Sequence, residues 1–520
     1  MNEFLQRHAG CVIGCLSGFD RVLFRGTIRL LASASGLMSY LWASRVLLKD
    51  FGEWSAALTA QVRAASEGVM REAGRPVTYL SDPSASKEDL ARSVAQRDGV
   101  EQGPVCLLSA VEPCWSFEVR RDRPTKKLVL EPRYRKCLHL YHYRVDERVG
   151  LTHARLQTWL PFGVRVCVNG REWLCRQLDA EGIGYDRRDN CLAAVGDAGR
   201  AQELLDGQLR TDWPALLNRL ADRAHPARAS ALLLEGRPLE HYWSAEQSEW
   251  ATDVMFKDAA SLAAVYPRLV RHGITALGCG DVLRFLGKRP DGRFRGEAGG
   301  DLRRRAEGVR LKHRVNGNSV KVYDKQGSVL RVETTVNDPR QFKVYRGTEA
   351  DPGRKAWRPL RKGVADLHRR AAVSRASNDR YLAALAALAA AECPRTLAEA
   401  TAPLCRPVTR GGRRYRALRP LHEPDTRLLR AVADGRWAVN GFRNGDIRRE
   451  LFGADAADAK ENRRRGGRVT RQLAMLRAHG LVRRVPKTRR WLLTDKGRGV
   501  TTLLSAAEHA SADSLLVAAA

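Results

Sequence analysis

An amphipathic helix near the C-terminus constrains the fold of this chain more than any other sequence feature. Residues 461–480, ENRRRGGRVTRQLAMLRAHG, can be wound as a helix of about 3.6 residues per turn. One face then carries Val469, Leu473 and Leu476. The opposite face carries Arg464, Arg468 and Arg471. Because one face suits a small core and the other suits a polyanion, the segment predicts a helix that lies in the major groove of DNA.

The residues around this helix predict two earlier helices and a later hairpin. DTRLLRAVADG predicts a helix capped by Asp425, and NGFRNGDIRRELF predicts a second one capped by Asn444. Gly480 ends the arginine-rich helix, and LVRRV and RRWLLT predict two short strands around a turn at residues 486–488. The hairpin would place five cations beside phosphates, namely Arg483, Arg484, Lys487, Arg489 and Arg490.

The order helix, helix, helix, hairpin over residues 421–505 resembles the winged helix-turn-helix domains of bacterial regulators such as the MarR type. The resemblance implies a domain that binds duplex DNA, with the third helix in the groove and the hairpin as the wing. A basic, solvated helical tail is the alternative interpretation.

The net charge of the chain predicts an anionic partner, and the distribution of the charge along the sequence indicates which segments would bind it. The chain has a net charge of +32 and a pI near 10.3. Residues 401–520 hold 26 Lys and Arg against 11 Asp and Glu, a net +15, and residues 301–370 hold 19 against 8, a net +11. The basic character is therefore concentrated in the second half of the chain, and nucleic acid is the expected partner.

Other features argue against membranes and secretion. No apolar run reaches the roughly 18 residues of a membrane span. The N-terminal segment CVIGCLSGFDRVLF is interrupted by Asp20 and Arg21, which is not typical of a signal peptide. The 11 cysteines are scattered, as expected of reduced thiols. We therefore expect a cytoplasmic protein that does not bind membranes.

Two segments rich in Gly, Pro and Arg, at residues 287–308 and 394–424, predict domain boundaries. The predicted fold class is α+β and multidomain. The predicted parts are a mixed α/β region at 1–285, a basic β-hairpin and helical region at 286–395, a basic linker at 396–420 and the winged helix at 421–510.

A second informative segment is NSVKVYDKQGSVLRVETTV, residues 318–336, which predicts a β-hairpin. Asp324 suits the first position of a type I turn and Gly327 the fourth, which gives a three-residue loop with Gly as a bulge residue. One face is then apolar, with Val320, Val322, Leu330 and Val332. The other face carries Lys321, Tyr323, Arg331 and Glu333, which we expect to be exposed together.

Tyr323 is a candidate nucleophile for a phosphodiester, because neighbouring cations favour its phenolate. Glu333 with His313 is a candidate pair of ligands for a divalent metal. The string YDK…LRVE is similar to a segment in the rolling-circle replication initiators of plasmids and filamentous phages, which implies a tyrosine that nicks DNA. That family commonly has two metal-binding histidines one residue apart, and this chain has no His-x-His. The alternative is a basic hairpin in which Lys321 and Arg331 bind phosphates and Tyr323 stacks on a base.

A third cluster lies in HYWSAEQSEWATDVMFKD. Glu246, Glu249 and Asp253 have the spacing of one helix face and could together hold Mg²⁺. A solvated helix face is the alternative. Phosphate-cradling and dinucleotide-binding glycine motifs are absent, which disfavours nucleotide hydrolysis and dinucleotide redox chemistry. The sequence does not identify a cofactor, and Mg²⁺ is the candidate if the chain is an enzyme.

As a whole, the chain is similar to long proteins of bacterial genomes and mobile elements. The leading hypothesis is a nucleic-acid-binding protein of mobile-element type. Its winged helix would bind duplex DNA, and its central basic region would bind a second DNA or RNA segment. The alternatives are a metal-dependent nickase, nuclease or replication initiator that uses Tyr323, and a ligand-sensing transcriptional regulator.

Overall fold

The computed structural model has mixed α and β structure, in agreement with the predicted α+β class. Among its described residues, no helix is both long and apolar enough to cross a lipid bilayer. The described residues are 2–82, 84–224, 240–275, 279–287, 298–305, 308–348, 350–389, 394–434, 437, 441–454, 456, 458–486 and 488–509.

The helices follow the sequence periodicity of apolar residues. In chain order they are α1 (Asn2–Arg7), α2 (Ala34–Ala43), α3 (Phe51–Glu72), α4 (Lys87–Arg97), α5 (Gly170–Ala180), α6 (Ala198–Asp206), α7 (Trp213–Ala224), α8 (Ala259–Thr275), α9 (Cys279–Phe285), α10 (Leu367–Ala389), α11 (Pro394–Thr401), α12 (Asp425–Ala433), α13 (Asn444–Phe452), α14 (Ala459–Ala478) and α15 (Asp495–His509).

The strands are longer in the first half of the chain than in the second. In chain order they are β1 (Val12–Ile28), β2 (Val77–Tyr79), β3 (Gly103–Arg121), β4 (Leu128–Asp146), β5 (Gly150–Gln157), β6 (Val164–Asn169), β7 (Tyr185–Arg188), β8 (Cys191–Val195), β9 (His241–Phe256), β10 (Ala298–Arg305), β11 (Gly308–Val315), β12 (Asn318–Lys325), β13 (Val329–Val336), β14 (Lys343–Arg346), β15 (Ala356–Pro359), β16 (Val408–Arg410), β17 (Arg413–Tyr415), β18 (Val482–Arg484) and β19 (Trp491–Leu493).

The chain forms two compact units, each built from segments that are distant in the sequence. The first unit contains Met1–Cys15, Thr252–Thr334 and Val373–Ala520, and the second contains Leu16–Ala251 and Thr335–Ala372. The sequence predicts consecutive domains instead. The predicted boundaries at residues 285 and 396 both fall inside segments of the first unit.

The second unit is organised by an antiparallel sheet. Strands β1, β6, β5, β4 and β3 pair in that order, and β2 joins β3 in parallel. Burial alternates along β5 and β6, because successive side chains of a strand point to opposite faces. Helix α5 follows β6 directly, and its first amides donate to the side chain of Asn169.

The first unit contains a second set of antiparallel neighbours, β10, β11, β12 and β13, with the end of β9 beside β13. A turn joins β12 and β13 where the sequence predicts it, but it is not the predicted type I turn, because Gln326 at its third position has a φ of +56°. Gly327 has a φ of +81°, a conformation that favours glycine, and its amide donates to Asp324 Oδ1 at 2.9 Å. Residues of α8 and α10, including Leu262 and Tyr381, pack on the apolar face of this hairpin.

The C-terminal part of the first unit has a hydrophobic core of its own. Its members come from α12, α13, α14, α15 and the β18–β19 hairpin, and Leu428, Ile447 and Leu504 are examples. The core also includes Leu404 and Leu418, which precede α12. The helices and the hairpin therefore form around one apolar centre, as their amphipathic sequences require.

Candidate nucleic-acid interface

Helix α14 has the division into two faces that its sequence predicts. The carboxylate of Asp458 caps the helix by accepting from the amides of Lys460 at 2.9 Å and Glu461 at 3.3 Å. The helix ends at Ala478, and Gly480 follows with a φ of +79°. The apolar stripe is buried, with exposed fractions of 0% for Val469, 1% for Leu473 and 0% for Leu476.

The opposite face of α14 presents arginines to solvent. Arg464, Arg468 and Arg471 are all exposed. Arg464 forms an ion pair with Glu461 at 2.9 Å, one turn earlier on the helix. Arg468 and Arg471 have no carboxylate partner among the described residues, although Arg468 lies over the ring of Phe452 at 5.7 Å. Two guanidinium groups of this face are therefore available to an anion.

Two predicted helix caps have a different role in the structure. Asn444 is the first residue of α13, and its side-chain amide donates to Gly466 O at 3.1 Å and Thr470 Oγ1 at 2.9 Å. Asp425 is the first residue of α12, and its carboxylate accepts from Arg416 at 2.6 and 2.7 Å. Neither residue is an N-cap, because tertiary partners occupy the side chain that a cap would use.

The hairpin β18–β19 carries further cations beside α14. Arg483, Arg484 and Arg489 are exposed, and Lys487 lies outside the described residues. Arg490 is only partly exposed, and its Nη1 lies 3.5 Å from Gly441 O. The hairpin thus contributes at least three accessible arginines.

The sequence does not predict a third, one-residue strand that pairs with the hairpin β18–β19. Phe442 pairs with Trp491 of β19, and the two residues exchange backbone hydrogen bonds of 3.0 and 2.8 Å. This pairing attaches the loop before α13 to the hairpin. Its only sequence signal is the buried aromatic residue Phe442 between two helices, because a single residue is too short to show an alternating pattern.

The central hairpin has the predicted apolar face. Each of its four residues has an exposed fraction of 0%: Val320, Val322, Leu330 and Val332. The polar face differs from the prediction, because Lys321 and Tyr323 are partly exposed, whereas Arg331 and Glu333 are buried. The four side chains are therefore not exposed together.

Glu333 is the acceptor at the centre of the polar face. It accepts from Lys321 Nζ at 2.5 Å and from the Tyr323 hydroxyl at 2.8 Å. Burial alone would raise the pKa of Glu333, but the neighbouring Lys321 ammonium, with Arg331 and Tyr323, holds the pKa below its usual range. Tyr323 and Glu333 are thus within the distance at which a carboxylate can accept the proton of a nucleophile.

Arg331 does not offer its guanidinium to a ligand, which corrects its predicted role in nucleic-acid binding. Its exposed fraction is 1%, and it donates to both carboxylate oxygens of Asp253, at 2.6 and 2.8 Å. A buried arginine requires such a partner, because an unpaired charge is costly in the protein interior. Both carboxylate oxygens of Asp253, whose exposed fraction is 1%, are therefore bound to Arg331.

The predicted Mg²⁺ site of Glu246, Glu249 and Asp253 is not formed on a helix, because these residues lie on strand β9. Each carboxylate pairs with a different arginine. Glu246 pairs with Arg165 at 2.7 Å, and Glu249 pairs with Arg21 at 3.3 Å. No group of three potential metal ligands is found among the described residues.

His313 lies on the other side of the sheet from Glu333, so the predicted metal pair is also wrong. Its register partner on β12 is Val320, a residue of the apolar face. The His313 Nε2 atom lies 3.1 Å from the Tyr381 hydroxyl, and burial lowers the pKa of His313 to about 4. Successive side chains of a strand point to opposite faces of the sheet, so His313 lies on the other face from its neighbour Lys312.

Three cations of strand β11 were missed by the sequence analysis. Lys312 lies directly opposite Lys321, Arg310 opposite Tyr323, and Arg314 opposite Ser319 on β12. Directly opposed residues share a face of the sheet, so these cations share the face of Tyr323. Burial, together with the charges of Lys321, Arg310 and Arg314, lowers the pKa of Lys312. The alternation in RLKHR, residues 310–314, is the signal that could have found them.

The acidic residues that strand pairing places on this face are Glu333 and Asp301, and Asp301 is the register partner of Lys312. Arg310, Lys312 and Arg314 form no ion pair with any side chain that the structure describes, and the Arg310 Nε atom is buried without a hydrogen-bond partner. Neighbouring like charges repel each other across a sheet unless an anion lies between them. The face is therefore suited to phosphate.

Comparisons with protein-family models, curated proteins and solved structures give no match to this chain.

Proposed function

We propose that this chain is a nucleic-acid-binding protein of mobile-element type, which binds duplex DNA through α14 and the β18–β19 hairpin. A MarR-like winged helix is the arrangement proposed for α12–α15. The observation that carries the proposal is the pair Arg468 and Arg471, which are exposed, lack a carboxylate partner among the described residues and lie opposite a buried stripe. A groove-binding helix needs this division of its faces.

The cations of the central sheet support binding of a second DNA or RNA segment. Lys321, Tyr323 and the three β11 cations lie on one face of the sheet, with Arg310 opposite Tyr323. Their charge suits phosphates irrespective of base sequence, so they add affinity rather than specificity.

Charge reversal in the full-length chain tests the duplex interface. The double variant Arg468→Glu, Arg471→Glu is expected to bind duplex DNA at least roughly 30-fold more weakly, as judged by electrophoretic mobility shift at low salt. Its unfolding free energy should stay within about 0.5 kcal/mol of wild type, because both residues are exposed.

A matched control reverses the same amount of charge elsewhere. Arg71 and Arg123 are exposed residues of the second unit. The variant Arg71→Glu, Arg123→Glu should retain duplex affinity within about threefold, because long-range charge effects are screened beyond roughly 10 Å. Equal losses in the two double variants would point to nonspecific attraction by net charge and would contradict the proposal.

The contact between Tyr323 and Glu333 favours a second candidate function, nicking of DNA by Tyr323. In this reaction Glu333 accepts the phenol proton, the phenol oxygen bonds to phosphorus, and the bond from phosphorus to one sugar oxygen breaks. That sugar oxygen then takes a proton from water. The 2.8 Å hydrogen bond is the geometry that the first transfer requires.

Tyr323→Phe separates the two candidate functions. If the chain is a nickase, the variant should lose both cleavage of supercoiled plasmid in Mg²⁺ or Mn²⁺ and a covalent protein–DNA adduct that survives denaturing electrophoresis. DNA affinity should be nearly unchanged, since the ring is retained. A wild-type protein that binds DNA but forms no adduct would leave binding as the function and exclude this role for Tyr323.

A further inference from the structure

Two large aromatic side chains are exposed side by side on the small hairpin β14–β15 of the second unit. Tyr345 and Trp357 are register partners, with exposed fractions of 58% and 69%. Their ring centroids are 5.8 Å apart and the ring planes are inclined by 56°. Because the rings are not stacked face to face, each keeps a π-face open to another planar group.

The hairpin is held firmly from its other face. Arg346, whose exposed fraction is 9%, donates to Pro359 O at 3.0 Å and lies 3.8 Å from Asp366. Asp366 is buried and also accepts from Arg361 and Arg369, at 3.0 and 2.7 Å. Although burial would raise the pKa of Asp366, the hydrogen bonds from Arg361 keep it below its usual range. The carboxylate therefore stays charged and fixes the base of the hairpin.

Apolar residues complete this anchor. Phe342 and Leu360 flank the two strands, with exposed fractions of 5% and 0%, and Leu360 N donates to Phe342 O at 2.9 Å. The aromatic pair is thus presented to solvent by a fixed element. Such preorganisation lowers the entropic cost of binding.

Cations lie close to the aromatic pair in the sequence. Lys343, Arg354 and Lys355 are exposed, and none of their side chains forms an ion pair among the described residues. Over residues 340–358 the sequence holds Arg340, Lys343, Arg346, Arg354, Lys355 and Arg358 against Glu349 and Asp351, a net +4. Charge complementarity therefore favours a planar ligand that carries negative charge.

We propose that the β14–β15 hairpin binds single-stranded nucleic acid, with Tyr345 and Trp357 stacking on unpaired bases and Lys343, Arg354 and Lys355 contacting phosphates. Open aromatic faces beside cations are the chemistry that recognises single strands. Duplexed bases are excluded, because both of their faces are already stacked within the helix. The proposal rests on the proposed function only in that the chain binds nucleic acid, and it uses none of the residues assigned to duplex binding.

Alanine substitution in the full-length chain is the first test, with fluorescence anisotropy of labelled poly(dT) and poly(U) oligonucleotides as the readout. Tyr345→Ala and Trp357→Ala should each weaken binding roughly 5- to 100-fold. Tyr345→Phe and Trp357→Phe should remain within about threefold of wild type, because a phenyl ring still stacks. Duplex affinity should not change in any of the four variants.

Trp42→Ala is the matched control, because Trp42 lies in α2 of the same unit and is 84% exposed. It should leave oligonucleotide affinity unchanged. Arg354→Gln with Lys355→Gln should instead reduce the slope of log affinity against log salt by about 0.7 per lost contact. Loss of duplex binding in Arg468→Glu, Arg471→Glu with retained single-strand binding would show that the two sites are separate.

Photocrosslinking keeps the proposal testable if an alanine variant does not fold. An oligonucleotide containing 5-iodouracil, irradiated with the wild-type chain, should form adducts at Tyr345 or Trp357 that mass spectrometry of peptides can locate. If the double variant Tyr345→Ala, Trp357→Ala is folded and binds the oligonucleotides as tightly as wild type, the proposal is overturned. Adducts confined to other parts of the chain would overturn it as well.

Discussion

The first unit has two basic regions whose cations differ in their surroundings. On α14, Arg468 and Arg471 are exposed and have no carboxylate partner among the described residues. On the central hairpin, Lys321 is bound to Glu333, and Arg331 is buried against Asp253. Residues 401–520 have a net charge of +15. Residues 301–334, the part of the first unit that contains the central hairpin, hold 9 Lys and Arg against 4 Asp and Glu, a net +5.

The difference shows that charge composition alone does not locate a binding surface. An arginine on the outside of a helix is solvated in the free protein and can exchange water for phosphate. An arginine on a central strand is desolvated during folding, and its partner must be supplied by the protein. We therefore expect cations of the first kind to contribute to binding and those of the second kind to contribute to the specificity of the fold.

The largest expected effect is on stability. Arg331→Ala should lower the free energy of unfolding by about 3–5 kcal/mol, because it leaves Asp253 buried without its partner. Arg471→Ala should lower it by less than about 0.5 kcal/mol. Chemical denaturation of both variants measures the contrast, and similar values for the two would contradict the difference between the regions.

Acid should weaken the central sheet without changing the charge of the α14 surface. Burial lowers the pKa of His313 from its ordinary 6.5 to about 4, so protonation opposes folding. Neutral His313 makes its full contribution to the free energy of unfolding above pH 6.5. This contribution decreases by about 3 kcal/mol as the pH falls toward 4. Arginines stay charged over this range, so the protein molecules that remain folded should still bind duplex DNA.

His313→Gln should make the unfolding free energy depend less steeply on pH between 6.5 and 4. His422→Gln, which replaces an exposed histidine, should leave the profile as in wild type. A profile that is equally steep in His313→Gln would remove His313 as the cause.

Salt dependence sharpens the comparison for single cations. Arg468→Gln and Arg471→Gln should each reduce the slope of log duplex affinity against log salt by about 0.9, the value for one phosphate contact. Lys321→Gln should leave that slope unchanged, because Lys321 is bound to Glu333 and lies outside the proposed duplex surface. A titration of affinity against salt for the three variants measures this, and a lower slope for Lys321→Gln would assign the central face to the duplex as well.

The smallest expected effect is that of Arg464. Its pair with Glu461 is exposed, so Arg464→Gln should change the unfolding free energy by no more than about 0.5 kcal/mol. High salt should reduce even this effect, since exposed pairs are screened. A larger decrease in the unfolding free energy, measured by thermal denaturation, would show that the ion pair takes part in a wider network.

Two predictions that depended on local periodicity agree with the structure. They are the buried stripe of α14 and the apolar face of the central hairpin, which depend on residues that are close in sequence. The helix at Glu246 and Asp253 was wrong, although its spacing fitted a helix face. The same residues can also be arranged on a strand, and pairing with neighbouring strands decides between the two.

The sequence by itself determined which segments are amphipathic and which faces are apolar, because 3.6-residue and two-residue periods are properties of neighbouring residues. Only the tertiary structure decided which charges remain available. Arg331 and its partner Asp253 are 78 residues apart, and His313 meets Tyr381 over 68 residues. The physical reason is that burial and ion pairing depend on contacts between distant segments, and these form only when the strands are assembled.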